Sequence, residues 1–325
     1  MVWPGKRSKA NSPSLTSPAT VPVEAADIAI GKTHSTVAQG LIRFCKRKPL
    51  GAVGGAILVL LVLVAVLAPV VAPHDPYQPN AAAIYAVPGS TYPLGADEAG
   101  RDVMSRLCYG ARISLYVSLL SVLIGITIGS LLGILSAYLG GWFDLILQRI
   151  IDALMAFPTI ILALGIMAVL GASVHNVILA LICVIVPGTA RTVRSQALSI
   201  KALDYITAAS ALGGTHGRII CRHIVPNLLS MCLILGTLQL GLAILTESSL
   251  SFLGVGVPPD VPTWGGMLRE AARAFVGVAP WLAIFPGLTI ALAVFGVNLL
   301  GDALRDVLDP RLRSDGGATQ SGIET

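Results

Sequence analysis

Charge is scarce in this sequence: only 12% of its 325 residues are Asp, Glu, Lys or Arg. A soluble domain carries about 25%, so a water-covered globular enzyme is excluded. Cysteine is sparse too. Cys45, Cys108, Cys183, Cys221 and Cys232 are scattered, with no C-x-x-C pair and no histidine at ligand spacing, so neither a disulfide framework nor a metal site is expected. Apolar residues fill the deficit, at 54% hydrophobic and a mean hydropathy of +0.80. That excludes disorder over most of the length, which requires low hydrophobicity and high net charge.

The net charge of +5 does not point to nucleic acid, because the basic residues cluster beside hydrophobic runs, as Lys and Arg do on the cytoplasmic flanks of membrane helices. Residues 1–42 are rich in Ser, Thr, Pro and Ala with no apolar core, which reads as a disordered cytoplasmic tail. The first apolar region starts near Val53, too late for a secretory signal. Gly31-Lys32-Thr33 imitates a phosphate loop, yet Ala26 stands where its first glycine belongs and no strand precedes it.

Six apolar segments follow, at about 53–72, 114–138, 153–174, 177–190, 224–246 and 280–301. Five are long enough to cross a hydrocarbon core of about 30 Å. The fourth is only 14 residues and contains Pro187-Gly188, and charge decides its case. With six spans and both termini inside, 17 of the 22 Lys and Arg fall on the cytoplasmic side; omitting the fourth sends Arg191, Arg194, Lys201, Arg218 and Arg222 outside, against the positive-inside bias. The expectation is therefore an all-α integral membrane protein with six transmembrane helices. Cys108 is expected outside, Cys45 and Cys221 inside, and Cys183 and Cys232 within the membrane.

Gly125, Gly129, Gly133 and Ala137 recur every four residues in the second segment. Such a stripe lets another backbone approach closely, from within this chain or from a second subunit, and internal packing is the favoured reading. Pro158, Pro187 and Pro286 allow kinks.

Catalytic candidates fail on inspection. Ser173 and His175 sit too close together on a short loop to align as nucleophile and base. Asp152 and Glu247 lie at the ends of apolar segments, where the interface is expected to solvate them rather than make them proton relays. Gln239 and Asn298 are polar residues at membrane depth with no evident partner, and His216 and His223 read as satisfied or solvated rather than as ligands.

The connection 191–225 is the informative stretch. Ala208, Ala209 and Ala211 form a short helix of little bulk, Gly213-Gly214 supplies a turn, and Pro226 opens the next helix. A small-faced helix followed by a glycine turn suits another protein's groove, as one use among several.

These residues, TAASALGG with Pro226 thirteen positions after Gly213, resemble the E-A-A-x-x-x-G loop of permeases in ATP-binding cassette (ABC) importers. The stretches LGADEAGRDVMSRLCYGARISL (94–115), RIIDALMAFPTI (149–160), ESSLSFLGVGVPP (247–259) and NLLGDALRDVLDPRLR (298–313) are similar to the C-type subunit of the dipeptide and oligopeptide branch. The resemblance covers about 43–313. Thr207 stands where the motif has Glu, Val225 where Leu is usual and Ala96 where Thr is common, so any salt bridge made by that glutamate is missing here.

The resemblance implies a type I importer permease fold, with a permease domain over 43–313, a coupling loop over 191–225 and a C-terminal tail over 314–325. It implies that Asp204 to Gly213 is a coupling helix entering a cleft on a cytoplasmic ATPase, with Asp204, Thr207, Ala208, Ala209, Ala211, Gly213 and Gly214 as the docking element and Pro226 transmitting its motion. The implied partners are a homologous second permease, two ABC ATPases, an extracytoplasmic binding protein and the lipid bilayer. ATP and magnesium would be bound by the ATPases, and no cofactor or metal by this chain, which is then non-catalytic. Peptide is the expected cargo, nickel or glutathione the alternatives. An ion-coupled secondary transporter would require internal repeats and mid-membrane charges that are not evident.

Overall fold

The computed structural model describes residues 45–46, 48–273 and 277–308; the expected tails at 1–42 and 314–325 lie outside them. The described chain is helical, with one isolated bridge between Ala96 and Asp102. The elements are α1 (Pro49–Val66), α2 (Ala68–Val71), a 3-10 turn (Ala81–Ala83), α3 (Val103–Leu139), α4 (Gly141–Met155), α5 (Thr159–Leu170), α6 (Val174–Lys201), α7 (Asp204–Ala211), α8 (His216–Ile219), a π turn (Ile220–Ile224), α9 (Val225–Leu253), α10 (Trp264–Arg273) and α11 (Trp281–Leu308). Five helices are long and apolar enough to cross a membrane, and α4 with α5, bent by 92° at their break, form a sixth candidate.

The glycine stripe faces α6. A Cβ on Gly125 would lie 2.8 Å from Ile185 Cγ2, one on Gly129 2.7 Å from Thr189 Cβ, and one on Gly133 2.5 Å from the Ala190 carbonyl oxygen. Gly133 also faces Val193, so Gly125, Gly129 and Gly133 meet Ile185, Thr189 and Val193 in turn, steps of four along both helices in the same direction, and the two helices run parallel. From Val117 to Leu139 the shared length is about 33 Å at 1.5 Å per residue. The chain must return across that distance between Leu139 and Val174, and α4 with α5 is all that does so. The pair is therefore one crossing, and six crossings follow from the packing as well as from the charge.

The helix bounds differ from the apolar runs for a consistent reason: hydropathy measures apolar length, whereas caps and packing set helix length. The second helix begins at Val103, eleven residues before its apolar run, because Asp102 caps it by accepting from Ser105 N at 2.8 Å and Ser105 Oγ at 2.5 Å. The fourth is 28 residues rather than 14. Beyond Ala190 it continues on Val193, Ala197 and Ile200, which face inward at helical spacing, so the first eleven residues of the expected loop 191–225 are helix. The third segment is broken at Ala156–Pro158, since proline starts α5 but cannot continue α4. The fifth runs on to Leu253 and the sixth to Leu308.

These extensions change the setting of several residues. Glu247 sits within α9 and is fully buried, its carboxylate accepting from Ser251 Oγ at 2.9 Å and Ser248 Oγ at 3.5 Å. The expected interfacial solvation is thus wrong for Glu247, while Asp152 is half exposed and paired with Arg191. Cys108 is only 5% exposed, packed inside the α3 start rather than open to solvent. Asn298 is exposed, with its amide oxygen toward Gly241 of α9.

α10 has no counterpart among the apolar segments. Trp264 is wholly buried against α3, its indole N–H donating to the Leu107 carbonyl at 3.2 Å. Arg106, 2% exposed, donates to both Glu270 carboxylate oxygens at 2.8 and 2.9 Å and to Asp97, which also accepts from Arg101 Nε at 2.7 Å. Burial raises the Glu270 carboxyl above the ordinary carboxylate range, while Arg106 and then Arg101 pull it back down. At the far side α1 packs on α11, where a Cβ on Gly54 would come within 2.6 Å of the Gly296 carbonyl oxygen.

The stripe gives a direct test. Gly133→Val overpacks a site with no room beside the Ala190 carbonyl, at a cost of about 1–3 kcal/mol, whereas Gly165→Ala meets nothing within 4 Å. The valine variant is expected to lower the thermal midpoint of the detergent-solubilised protein clearly and the alanine variant to leave it near the parent value.

Candidate functional site

The connection from α6 to α9 forms a structured ledge at one end of the bundle. α7 starts with Asp204 in its first turn, where a carboxylate suits the positive end of the helix dipole. It ends in a Schellman motif. Gly214 N–H donates to the Ala209 carbonyl and Gly213 N–H to the Ser210 carbonyl, both at 3.0 Å. Gly213 adopts φ +80°, a left-handed conformation costing other residues about 1–2 kcal/mol. A Cβ on Gly213 would meet nothing of this chain within 4 Å, while one on Gly214 would strike the Ala209 carbonyl at 2.7 Å. The first glycine is required by backbone conformation and the second by space.

One residue roots α7 in the bundle. Ile206 is 3% exposed and packs with Ile134, Val193, Ile200, Ile219 and Leu228 from α3, α6, α8 and α9. Around that anchor Asp204, Thr207, Ala208, Ala211, Gly213 and Pro226 are exposed, and Ala209 and Gly214 are half-buried. Leu212 is 89% exposed, with Leu203 and Tyr205 also open. This is a small-residue and apolar surface at a helix that does not itself span, a combination that marks interaction sites.

The ledge is tied to the long helices by polar contacts. Lys201 Nζ donates to the Ala137 and Tyr138 carbonyls at 3.1 and 2.8 Å, satisfying the orphan acceptors at the end of α3. Tyr138 OH lies 2.7 Å from His216 Nδ1, so His216 is a satisfied polar residue. Asn227 Nδ2 donates to the His223 carbonyl at 2.6 Å and to Tyr205 OH at 3.2 Å. Beside the ledge, Asp144 of α4 accepts from Arg194 Nε and from a second guanidinium nitrogen at 2.6 and 2.5 Å, a bidentate pair that holds α4 against α6.

Sequence reasoning missed Ile206, Tyr138, Lys201 and Asn227. Only Lys201 carried a signal, as a cation in the last turn of a helix. The three glycines of the stripe lie along the α3–α6 contact rather than at the ledge. Among the described residues no group of His, Cys, Asp and Glu is placed to hold a metal ion.

Ile206→Ala is expected to loosen the ledge by about 2–5 kcal/mol and Tyr138→Phe by about 0.5–1.5 kcal/mol. Amide exchange over Asp204–Ile219 in micelles should rise strongly in the first and slightly in the second.

Residues 125–314 match the model of the binding-protein-dependent transport system inner membrane component, and residues 38–88 match the N-terminal transmembrane domain of oligopeptide transport permease C. The dipeptide transport system permease protein DppC of Alkalihalophilus pseudofirmus is 40% identical over 269 residues, 83% of this chain and 88% of that protein. The glutathione transport system permease protein GsiD of Pectobacterium atrosepticum is 46% identical over 227 residues, 70% of this chain and 75% of that protein. Among solved structures, the MetNI methionine ABC transporter in an inward-facing conformation aligns with a TM-score of 0.53 at 19% identity, covering 63% of this chain and 97% of its own, a likeness of fold. On these matches the chain belongs to the binding-protein-dependent transport system inner membrane components, the permeases of ABC importers.

Proposed function

We propose that this chain is the C-type permease subunit of an ABC importer for dipeptides or oligopeptides. It is a multi-pass protein of the bacterial cell membrane. Peptide is the reading favoured by the permease C match over 38–88 and by the dipeptide relative; the similarity to a glutathione permease keeps that tripeptide as the alternative.

The observation that carries the mechanism is the ledge. α7 presents a small-residue face, is capped by Gly213, and leads through α8 and the π turn into α9 as one span from His216 to Leu253. A helix pushed or pulled at Ala208 and Ala209 therefore moves α9 with it, with Pro226 in the first turn of that helix. In this reading the ledge docks on a cytoplasmic ATPase, both termini of the chain are cytoplasmic, and ATP with magnesium acts in the ATPases. A second permease completes the pathway and an extracytoplasmic binding protein delivers the cargo. Thr207 is exposed and contributes no charge to the docking face.

Two experiments test this. Gly213→Glu places a side chain where this chain leaves space and a partner fills it, adding an unpaired charge to a packed interface at a cost of several kcal/mol. The variant is expected to insert at parental level while losing its co-purifying ATPases and its dipeptide uptake; retention of both removes the docking role. Separately, Cys221 is exposed next to the ledge, so a membrane-impermeant thiol reagent is expected to label it from the cytoplasmic side only. Labelling from outside reverses the orientation.

A further inference from the structure

A cavity of about 460 Å³ opens where the α4–α5 break meets α6 and α9. Its polar residues are Thr159, Gln239, Thr246 and Ser249; its lining includes no charged residue, no imidazole and no thiol. It lies at depth. Pro187 and Gly188 of α6 line it, and they are level with Gly129 of α3, beyond which ten residues of that helix remain, about 15 Å. Gln239 itself is fourteen residues from each end of α9.

Two features favour water or a ligand here over lipid. Non-helical backbone at membrane depth persists only where protein covers it or where it lines a wet cavity, and Phe157 of the α4–α5 break lines this one. The Gln239 amide, half-buried, makes no hydrogen bond among the described residues, and an amide left unpaired in hydrocarbon is costly.

The polar groups are also unequal. Thr246 Oγ1 donates to the Leu242 carbonyl at 2.8 Å and Ser249 Oγ to the Leu245 carbonyl at 2.7 Å, so both offer their environment lone pairs only. Gln239 alone among these three has free donors, and its amide matches a peptide group in both directions, Nε2 donating to C=O while Oε1 accepts from N–H.

We propose that this cavity is a charge-neutral contact site for the backbone of the transported peptide, with Gln239 pairing to a peptide group and Thr246 and Ser249 accepting from N–H or ammonium groups. The proposal rests on the peptide-importer reading and adds the residue that touches cargo inside the membrane. Recognition through the backbone suits a route that passes varied side chains, and a bare divalent cation finds no carboxylate, imidazole or thiolate among these lining residues.

The test uses the complete transporter, this chain with its second permease, ATPases and binding protein, in proteoliposomes supplied with radiolabelled Ala-Ala, Lys-Lys or Asp-Asp. With one binding protein throughout, changes against the parent complex report on this chain. Gln239→Leu is expected to lower Ala-Ala uptake by about tenfold, the loss of one well-placed pair of bonds. Gln239→Glu is expected to shift the ratio of Lys-Lys to Asp-Asp uptake by about tenfold toward the cationic peptide. Variant complexes that assemble at parental stoichiometry with parental uptake and ratio overturn the proposal. A second measurement serves if assembly suffers. Gln239→Cys is expected to react during ATP turnover with a charged thiol reagent above the parent background, and Leu60→Cys, on the exposed face of α1, is not. An unreactive Gln239→Cys overturns the site. Failure of the parent complex to import any of the three dipeptides would instead reject the dipeptide reading, while the thiol result still reports whether this cavity opens to water.

Discussion

The close parallel approach of α3 and α6 is the contact on which the rest depends. In lipid, burying apolar surface between helices gains little, because the hydrocarbon tails are equally apolar, so association rests on how closely backbones pack. Gly125, Gly129 and Gly133 let the Ala190 carbonyl and the Thr189 side chain come where no Cβ would fit. Because the two helices are parallel, the segment joining them has to recross the bundle. It does so as a broken pair, α4 lying against the α6 arginines and α5 rising from Pro158. The opening beside Gln239 lies at the break between them, lined by Leu154, Met155 and Phe157 on one side and by α6 and α9 on the other.

The same pair fixes both ends of the molecule. At one end Lys201 closes on the α3 carbonyls and Tyr138 meets His216, so the ledge rides on α3 and α6 together. At the other, Arg106 of α3 grips Glu270 of α10. Removing one partner from such a buried pair costs about 3–5 kcal/mol, although the intact pair contributes little net stability. Its value is therefore positional: Asp97, Arg101, Arg106 and Glu270 are paired with α10 seated on the start of α3. α9 joins the two ends, with the ledge before it and the Glu247 serine cluster near its finish.

Much of this was legible in the sequence, and the failures have one physical origin. Apolar runs gave six crossings, and charge asymmetry rescued the fourth, whose apolar stretch was too short. Alanines and glycines at 208–214 gave the ledge its helix and cap. Helix ends were misplaced wherever an amphipathic turn followed an apolar one, as at Arg191–Lys201 and at Glu247–Leu253, because a polar residue ends a hydropathy window but not a helix. Glu247 therefore falls at the edge of a hydropathy window while sitting well inside a helix. α10 left no apolar signal, being a ten-residue helix whose burial comes from Trp264 and from ion pairs reaching 164 residues along the chain. Gln239 stood out as an amide without a partner, and only the fold could supply the cavity that explains it.

The π turn at Ile220–Ile224 decides what kind of motion the ledge can transmit. A π turn carries one extra residue in its helical turn and is a weak point in an otherwise regular rod. Here Ile219 before the turn and Ile224 at its end are held by the buried cluster around Ile206, and His223 within it by Asn227 and Tyr205. A local melt at the turn would give up those buried contacts together, whereas a rigid tilt of α7 with α9 keeps the ones among Ile206, Ile219, Ile224 and Leu228 and slides them against Ile134 of α3 and Val193 and Ile200 of α6. In the proposed importer such a tilt reaches Gln239 and the cavity wall without breaking the α3–α6 contact. The moving boundary then falls between α9 and its neighbours α5 and α6, which is where the cavity lies.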